Sequence, residues 1–162
     1  MKLKSKFLLC TCLLFLVVII NGCEVSQDKK NIYDDNDRIS QQGDSFSYST
    51  RTDTEDSNDK IDVKYSGFYG TDTIWNFDSK EGGEITIKFD SVVNSGDFKA
   101  VLINTKNEVE NILIKNQQGE KTIKLSQGKY IFKIVGRNAK GEIKVSINKS
   151  QNVDITKVIN KG

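Results

Sequence analysis

Between Val63 and Lys149 the chain alternates. Ile85, Ile87 and Phe89 are separated by Thr86 and Lys88. Tyr130, Phe132 and Ile134 stand around Lys133, and Ile143, Val145 and Ile147 around Lys144 and Ser146. A period of two sends one set of side chains to one face of an extended strand and the other set to the opposite face. Turn residues interrupt these runs at hairpin spacing: Glu81-Gly82-Gly83, Asn94-Ser95-Gly96-Asp97, Gln117-Gln118-Gly119, Ser126-Gln127-Gly128 and Asn138–Gly141. Glycine there supplies the positive φ of tight turns. Consecutive hairpins pair antiparallel, because parallel strands need long crossovers. The expectation is an all-β, antiparallel, jelly-roll-like β-sandwich of about eight strands over residues 63–149. No stretch is long and periodic enough to predict a helix in it.

The first 23 residues have another character. Lys2, Lys4 and Lys6 precede an uncharged apolar run of 14 residues, Phe7–Ile20. That order is a secretory signal peptide, and the run is short for a bilayer span, which needs about 20 residues. Ile20-Asn21-Gly22-Cys23 follows directly. This end resembles the lipobox of bacterial lipoproteins: an aliphatic residue, two small residues and the cysteine that receives the lipid. Ile20, Gly22 and Cys23 fit the pattern, and Asn21 stands where Ala or Ser is usual. The resemblance implies cleavage after residue 22, a diacylglyceryl group on Cys23 and acylation of its new amine, as with palmitate. It places the protein at the cell membrane, lipid-anchored on the extracytoplasmic face of the cell envelope. Two or three acyl chains hold a protein where one is marginal, since each buried methylene contributes about 0.8 kcal/mol. Cys10 and Cys12 lie inside the apolar run and leave with it, so no disulfide is expected.

Residues 23–62 read as the lipidated cysteine followed by a disordered tether. Glu24–Asp62 is rich in Ser, Asp, Asn, Gln and Thr and carries 11 acidic against five basic residues. Its Ile32, Tyr33, Ile39, Phe46 and Tyr48 follow no period, and such a segment buries too little to offset chain entropy. As a coil of 39 residues it spans roughly 35 Å. Asp34-Asp35-Asn36-Asp37 lacks the glycine of a calcium-binding loop and reads as solvated linker. Val63–Gly162 is basic, with 16 Lys and Arg against 11 acidic residues. Lysines on outward strand positions keep edges from pairing and maintain solubility. Residues 150–162 form a C-terminal tail with the composition of an edge strand, a short helix or a frayed end.

Ser126-Gln127-Gly128-Lys129-Tyr130-Ile131-Phe132, with Gly141 and the last alternating run, is similar to the closing hairpins of small bacterial jelly-roll modules. Pre-peptidase C-terminal domains and some carbohydrate-binding modules are among them. The shared features are a turn glycine, an aromatic two residues on and alternating apolars. The similarity implies fold, and fold alone does not specify function.

The chain contains no histidine, which removes Ser-His-Asp and Cys-His catalysis and His-based metal sites. It contains no phosphate-cradling glycine motif. No carboxylate pair is singled out by spacing, so no enzymatic activity, metal or cofactor is expected. Lysines spread over strands, without a recognition helix, do not suit nucleic acid. What remains is a surface-displayed binding module, for a cell-wall polysaccharide, an extracellular polymer or an envelope protein. The alternative is a structural or accessory envelope lipoprotein with no small ligand. The densest aromatic group is Tyr65, Phe68, Tyr69, Trp75 and Phe77. Candidate ligand-binding residues are Tyr65, Tyr69, Trp75 and Asp72, with Asn76 and Asp78 as further hydroxyl partners. The opposing expectation is that the rings fill the core. Alternation puts Trp75 and Phe77 together on one face, and Gly67 is positioned to change the face between Tyr65 and Tyr69.

Overall fold

The computed structural model describes residues 25–55 and 57–159. Its frame is eight strands: β1 Ser45–Ser47, β2 Thr50–Asp53, β3 Lys60–Ser79, β4 Gly83–Ile103, β5 Val109–Ile114, β6 Gln117–Leu125, β7 Gly128–Lys149 and β8 Val153–Lys157. All pairings are antiparallel, as the hairpin spacing predicts. Three strands are about four times the ordinary strand length of five or six residues. They lie side by side in the order β3-β7-β4.

Each long strand bends near its middle and serves two layers. The first layer pairs Lys60–Tyr65 with Gly141–Ser146, and Ile85–Val93 with Gly141–Lys149. β2 closes one side of it and β6 the other. The second layer pairs Phe68–Ser79 with Gly128–Ala139, and Asp97–Ile103 with Ile131–Arg137. β1 and β8 close one side and β5 the other. The bend coincides with register shifts at Tyr65/Phe68, Val93/Ser95 and Ser95/Asp97. Gly67 and Gly96 take φ of +55° and +75°, and a β-carbon on Gly96 would lie 2.2 Å from the Asn138 carbonyl oxygen. Only glycine meets both demands.

Between the layers the alternating residues form one core. Ile61, Val63, Ile85, Ile87, Ile143 and Val145 from the first layer meet Phe68, Trp75, Phe77, Phe98, Leu102 and Phe132 from the second.

The segment expected to be a tether is folded over its described length, residues 25–55 and 57–62, the last three of which begin β3. α1 (Gln27–Asn31), a 3₁₀ turn (Ile32–Asp34) and α2 (Asn36–Ile39) cover the outer face of the second layer. Ile32, Tyr33 and Ile39 pack there against Val101, Ile103 and Val135. These three β-residues point away from the main core, so the outer face of this layer is itself apolar. Asp35 is not solvated linker: its side chain accepts from the Arg38 amide and caps α2, as N-cap aspartates do. Asp34 pairs with Arg137. β1 and β2 continue the same segment onto the sheet edges. The C-terminal tail adds β8 beside β3.

Lys133 fastens the cover. Alternation points it away from the core, as the sequence predicts, but the cover buries it. Its Nζ donates to the carbonyls of Gln41 (2.9 Å) and Gly43 (2.8 Å) and lies 3.5 Å from Asp44. Burial lowers its pKa, and Asp44 opposes that shift.

If the cover belongs to the fold, Ile39→Ala should cost about 2–5 kcal/mol through lost transfer energy and a cavity. A lower urea midpoint checks this. Trypsin should also cut slowly at Lys29, Lys30 and Arg38 in the native protein; rapid cutting at all three with an unchanged midpoint would mean that the cover is peripheral.

Candidate functional site

The outer face of the first layer carries a groove that runs across its strands. Its floor is the backbone of Ile61, Val145, Phe89 and Gly119, which stand in one row by strand register. Their neighbours in sequence point outward and form the walls. One wall is Asp62, Lys144, Asp90 and Gln118; the other is Lys60, Ser146, Lys88 and Glu120. The groove is open and encloses about 580 Å³. The alternation of β3, β4, β6 and β7 makes every wall residue polar.

Some wall groups are engaged with each other. Lys88 lies 3.5 Å from Glu120, and Lys144 lies 3.5 Å from Asp62 and 3.0 Å from Glu142. The bond to Glu142, with the field of Asp62, raises the Lys144 pKa. Others are unengaged among the described residues. Asp62 Oδ1 is buried without a hydrogen-bond partner. Buried polar atoms ordinarily have one, so a ligand hydroxyl or water has a donor role to fill there. Lys88 and Lys144 are readable in the sequence as outward positions. Their alignment in one groove is not, because it depends on cross-strand register.

A second depression, about 770 Å³, lies on the outer face of the second layer beyond the end of the cover. Gln42, Gly43 and Asp44 wall one side, with Asn76, Asp78, Asn104 and Lys129 around Ile103 and Ile131. Asn76 and Asp78 point outward, opposite Trp75 and Phe77, as alternation predicts. Asn104 is occupied: its Oδ1 accepts from the Lys106 and Glu108 amides, and its Nδ2 donates to Glu108.

The aromatic candidates do not form an exposed row. Trp75 is fully buried; its ring lies 5.5 Å from that of Phe132, and its Nε1–H donates to the Asn58 carbonyl at 2.8 Å. Tyr65 is buried and stacks on Phe98 at 4.7 Å, and burial raises its pKa. Both rings are core, because a sandwich of this size needs large apolar area between its layers. Tyr69 is half-buried and pairs across from Ser47 in β1.

Asp72 is fully buried as well, and its position is a correction to simple alternation. A register shift between Thr73 and Trp75 changes parity, so Asp72 stands across from core-facing Ile134. It accepts from Tyr48 Oη at 2.6 Å and from Arg51. Arg51 also donates to both carboxylate oxygens of Asp53, at 3.1 and 3.0 Å. Burial, then the negative field of Asp72, raises the Tyr48 pKa. Tyr48 stacks on Phe68 at 4.5 Å. Asp72 therefore ties β2 and the β1–β2 connection to the sandwich and is not open to a ligand. No cluster of three or more His, Cys, Asp and Glu able to hold a metal exists among the described residues.

No protein-family model matches the chain, and no curated protein matches it. Solved structures are similar at low identity. A carbohydrate-binding module from Cellvibrio mixtus lichenase 5A in complex with cellotriose is 20% identical, with 72% of this chain and 95% of that one covered and a TM-score of 0.40. Xyl-CBM35, in complex with a glucuronic acid-containing disaccharide, is 12% identical, with 75% and 96% covered and a TM-score of 0.38. The CBM35 from Cellvibrio japonicus Abf62 is 12% identical, with 69% and 85% covered and a TM-score of 0.35. The sugars named there belong to those proteins.

Three expectations follow from this geometry. Trp75 emission should be blue-shifted and resist iodide; red-shifted, quenchable emission would place the ring outside the core. Arg51→Ala should destabilise by about 3–5 kcal/mol, because it removes the guanidinium paired with a buried carboxylate. Tyr48→Phe should cost less, about 1–3 kcal/mol, through one lost bond to a charged group. Chemical denaturation measures both.

Proposed function

We propose that this chain is a bacterial extracytoplasmic lipoprotein, held at the cell membrane through lipidated Cys23, that binds a polymer rich in hydroxyls. The ligand class is a cell-wall or other extracellular glycan, and the site is the cross-strand groove of the first layer. Lysine-leader, apolar run and Ile20-Asn21-Gly22-Cys23 support the anchor; these residues lie outside the described structure. The observation that carries the binding reading is the groove itself. It is open to solvent and runs across four strands, a shape that suits an extended chain. Its floor is bare backbone, and its walls offer acceptors and donors of both signs, including the unpartnered Asp62 Oδ1. Hydroxyls satisfy such a mixture, since each both donates and accepts. The reading assigns no catalysis.

A second reading has its own support. Among the described residues the groove displays no exposed aromatic ring on which a sugar could stack, and ion pairs already satisfy part of its walls. That suits an accessory lipoprotein with a protein partner and no small ligand.

Calorimetric titration of the detergent-solubilised full chain with wall polysaccharide separates the two. Asp90→Ala and Gln118→Ala should each weaken binding by about fivefold, the equivalent of roughly 1 kcal/mol for one hydrogen bond. Both are exposed, so thermal midpoints should stay put, and Asn76→Ala in the other depression should bind normally. Absence of saturable binding to any wall or extracellular polysaccharide would favour the accessory reading.

A further inference from the structure

The described fold begins at Val25, two residues after Cys23, and Val25 is already half-buried. α1 starts at Gln27. From Cys23 to Gln27 is four residues, which reach at most about 14 Å when fully extended. The roughly 35 Å coil expected from composition does not separate the cysteine from the fold.

The place where the chain enters matters as much as the length. α1, the 3₁₀ turn and α2 lie on the outer face of the second layer, and the groove lies on the outer face of the first. From the plane of the cover to the plane of the first layer there are two packing distances. Each is about 10 Å, so the separation is roughly 20 Å. If the groove face lay on the bilayer, the four residues would have to climb that separation and round the sheet edge, which exceeds their reach. The fastening of the cover also bears on this. Lys133 Nζ holds Gln41 and Gly43, Tyr33 Oη donates to the Phe98 carbonyl at 3.4 Å, and Lys29 Nζ donates to the Phe46 carbonyl at 2.7 Å. The cover cannot supply slack without losing these bonds.

The geometry points to a fixed presentation: the cover is the membrane-facing surface of the domain, lying against the lipid headgroups, and the groove face is turned outward. This rests on the anchor at Cys23 and adds the orientation. The occupant of the cover's outer surface is a lipid bilayer, and the groove is thereby left open to a polymer or protein outside the cell.

Short-range quenching by nitroxide-headgroup lipids tests it. The mature chain carries no cysteine except Cys23, so one introduced cysteine can be labelled specifically once Cys23 is lipidated. Asp37→Cys reports from the cover and Asn148→Cys from the outer face of the first layer; both positions are exposed. The full chain is produced in a host that processes lipoproteins, its mass is measured, and it is reconstituted into phosphatidylcholine vesicles carrying the quencher. Quenching should be severalfold stronger at Asp37→Cys than at Asn148→Cys. A 20-residue Gly/Ser insertion after Glu24, with a span of roughly 25 Å, should remove the difference. Equal quenching at the two positions in lipidated protein without the insertion would overturn the orientation alone. Protein recovered with unmodified Cys23 would overturn the anchor, and the orientation with it.

Discussion

The fold depends on continuous hydrogen bonding between three strands that are too long for one flat sheet. β3, β7 and β4 run for 20, 22 and 21 residues. A flat ribbon of that length would bury neither face. Bending it doubles it onto itself, so the same three strands supply both layers and both halves of the core. The bend works only where the backbone tolerates it. Gly67 and Gly96 adopt positive φ, and Asn138 does so opposite Gly96. Each short strand then closes an edge of one layer. The core residues are consequently far apart in sequence, as Ile61 and Phe132 are, and form contacts only after both layers are paired.

Doubling creates a difficulty on the second layer. Its inner face is core, and its outer face still shows Val101, Ile103 and Val135. The N-terminal segment resolves this. Among the described residues it lays three large buried apolar side chains on that face, Ile32, Tyr33 and Ile39, and supplements them with polar fastenings. Lys133 is the most deeply buried of the cations involved. Its charge is buried, but two carbonyls and Asp44 replace its lost hydration. Removing one side of such an arrangement is far more costly than exchanging both sides for apolar groups. The Asp72, Tyr48 and Arg51 cluster does the same for β2 at the edge of the sandwich. Lys157 does so at the end of β8, where its ammonium donates to the carbonyls of Glu55, Ser57 and Lys60 at 2.9–3.1 Å. Three polar fastenings, each built on a buried or half-buried charge, thus hold the segment that composition alone would release.

The two faces of the sandwich therefore differ in kind. One is covered and apolar beneath its cover. The other is a bare sheet with charged walls and a backbone floor. The proposed anchoring would make use of this asymmetry, since the same surface cannot both lie against lipid and stay open to solvent.

Alternation and turn chemistry alone determined the strand class, the antiparallel pairing, and the inward placement of Trp75 and Phe77 with Asn76 and Asp78 outward. They act within a few residues, so they are legible locally. Three features were decided only in three dimensions. The cover was invisible because Ile32, Tyr33 and Ile39 sit on short helical turns without a shared period; their burial comes from a sheet face formed by residues 60 to 100 positions later. Asp72 read as a candidate ligand-binding residue, but the register shift before Trp75 turns it to the core side, and neighbouring strands set such a shift. The groove residues were visible singly as outward lysines and carboxylates. Their rows exist only through the registers of β3, β7, β4 and β6, because hydrogen bonding across strands, not sequence spacing, decides which outward side chains stand side by side.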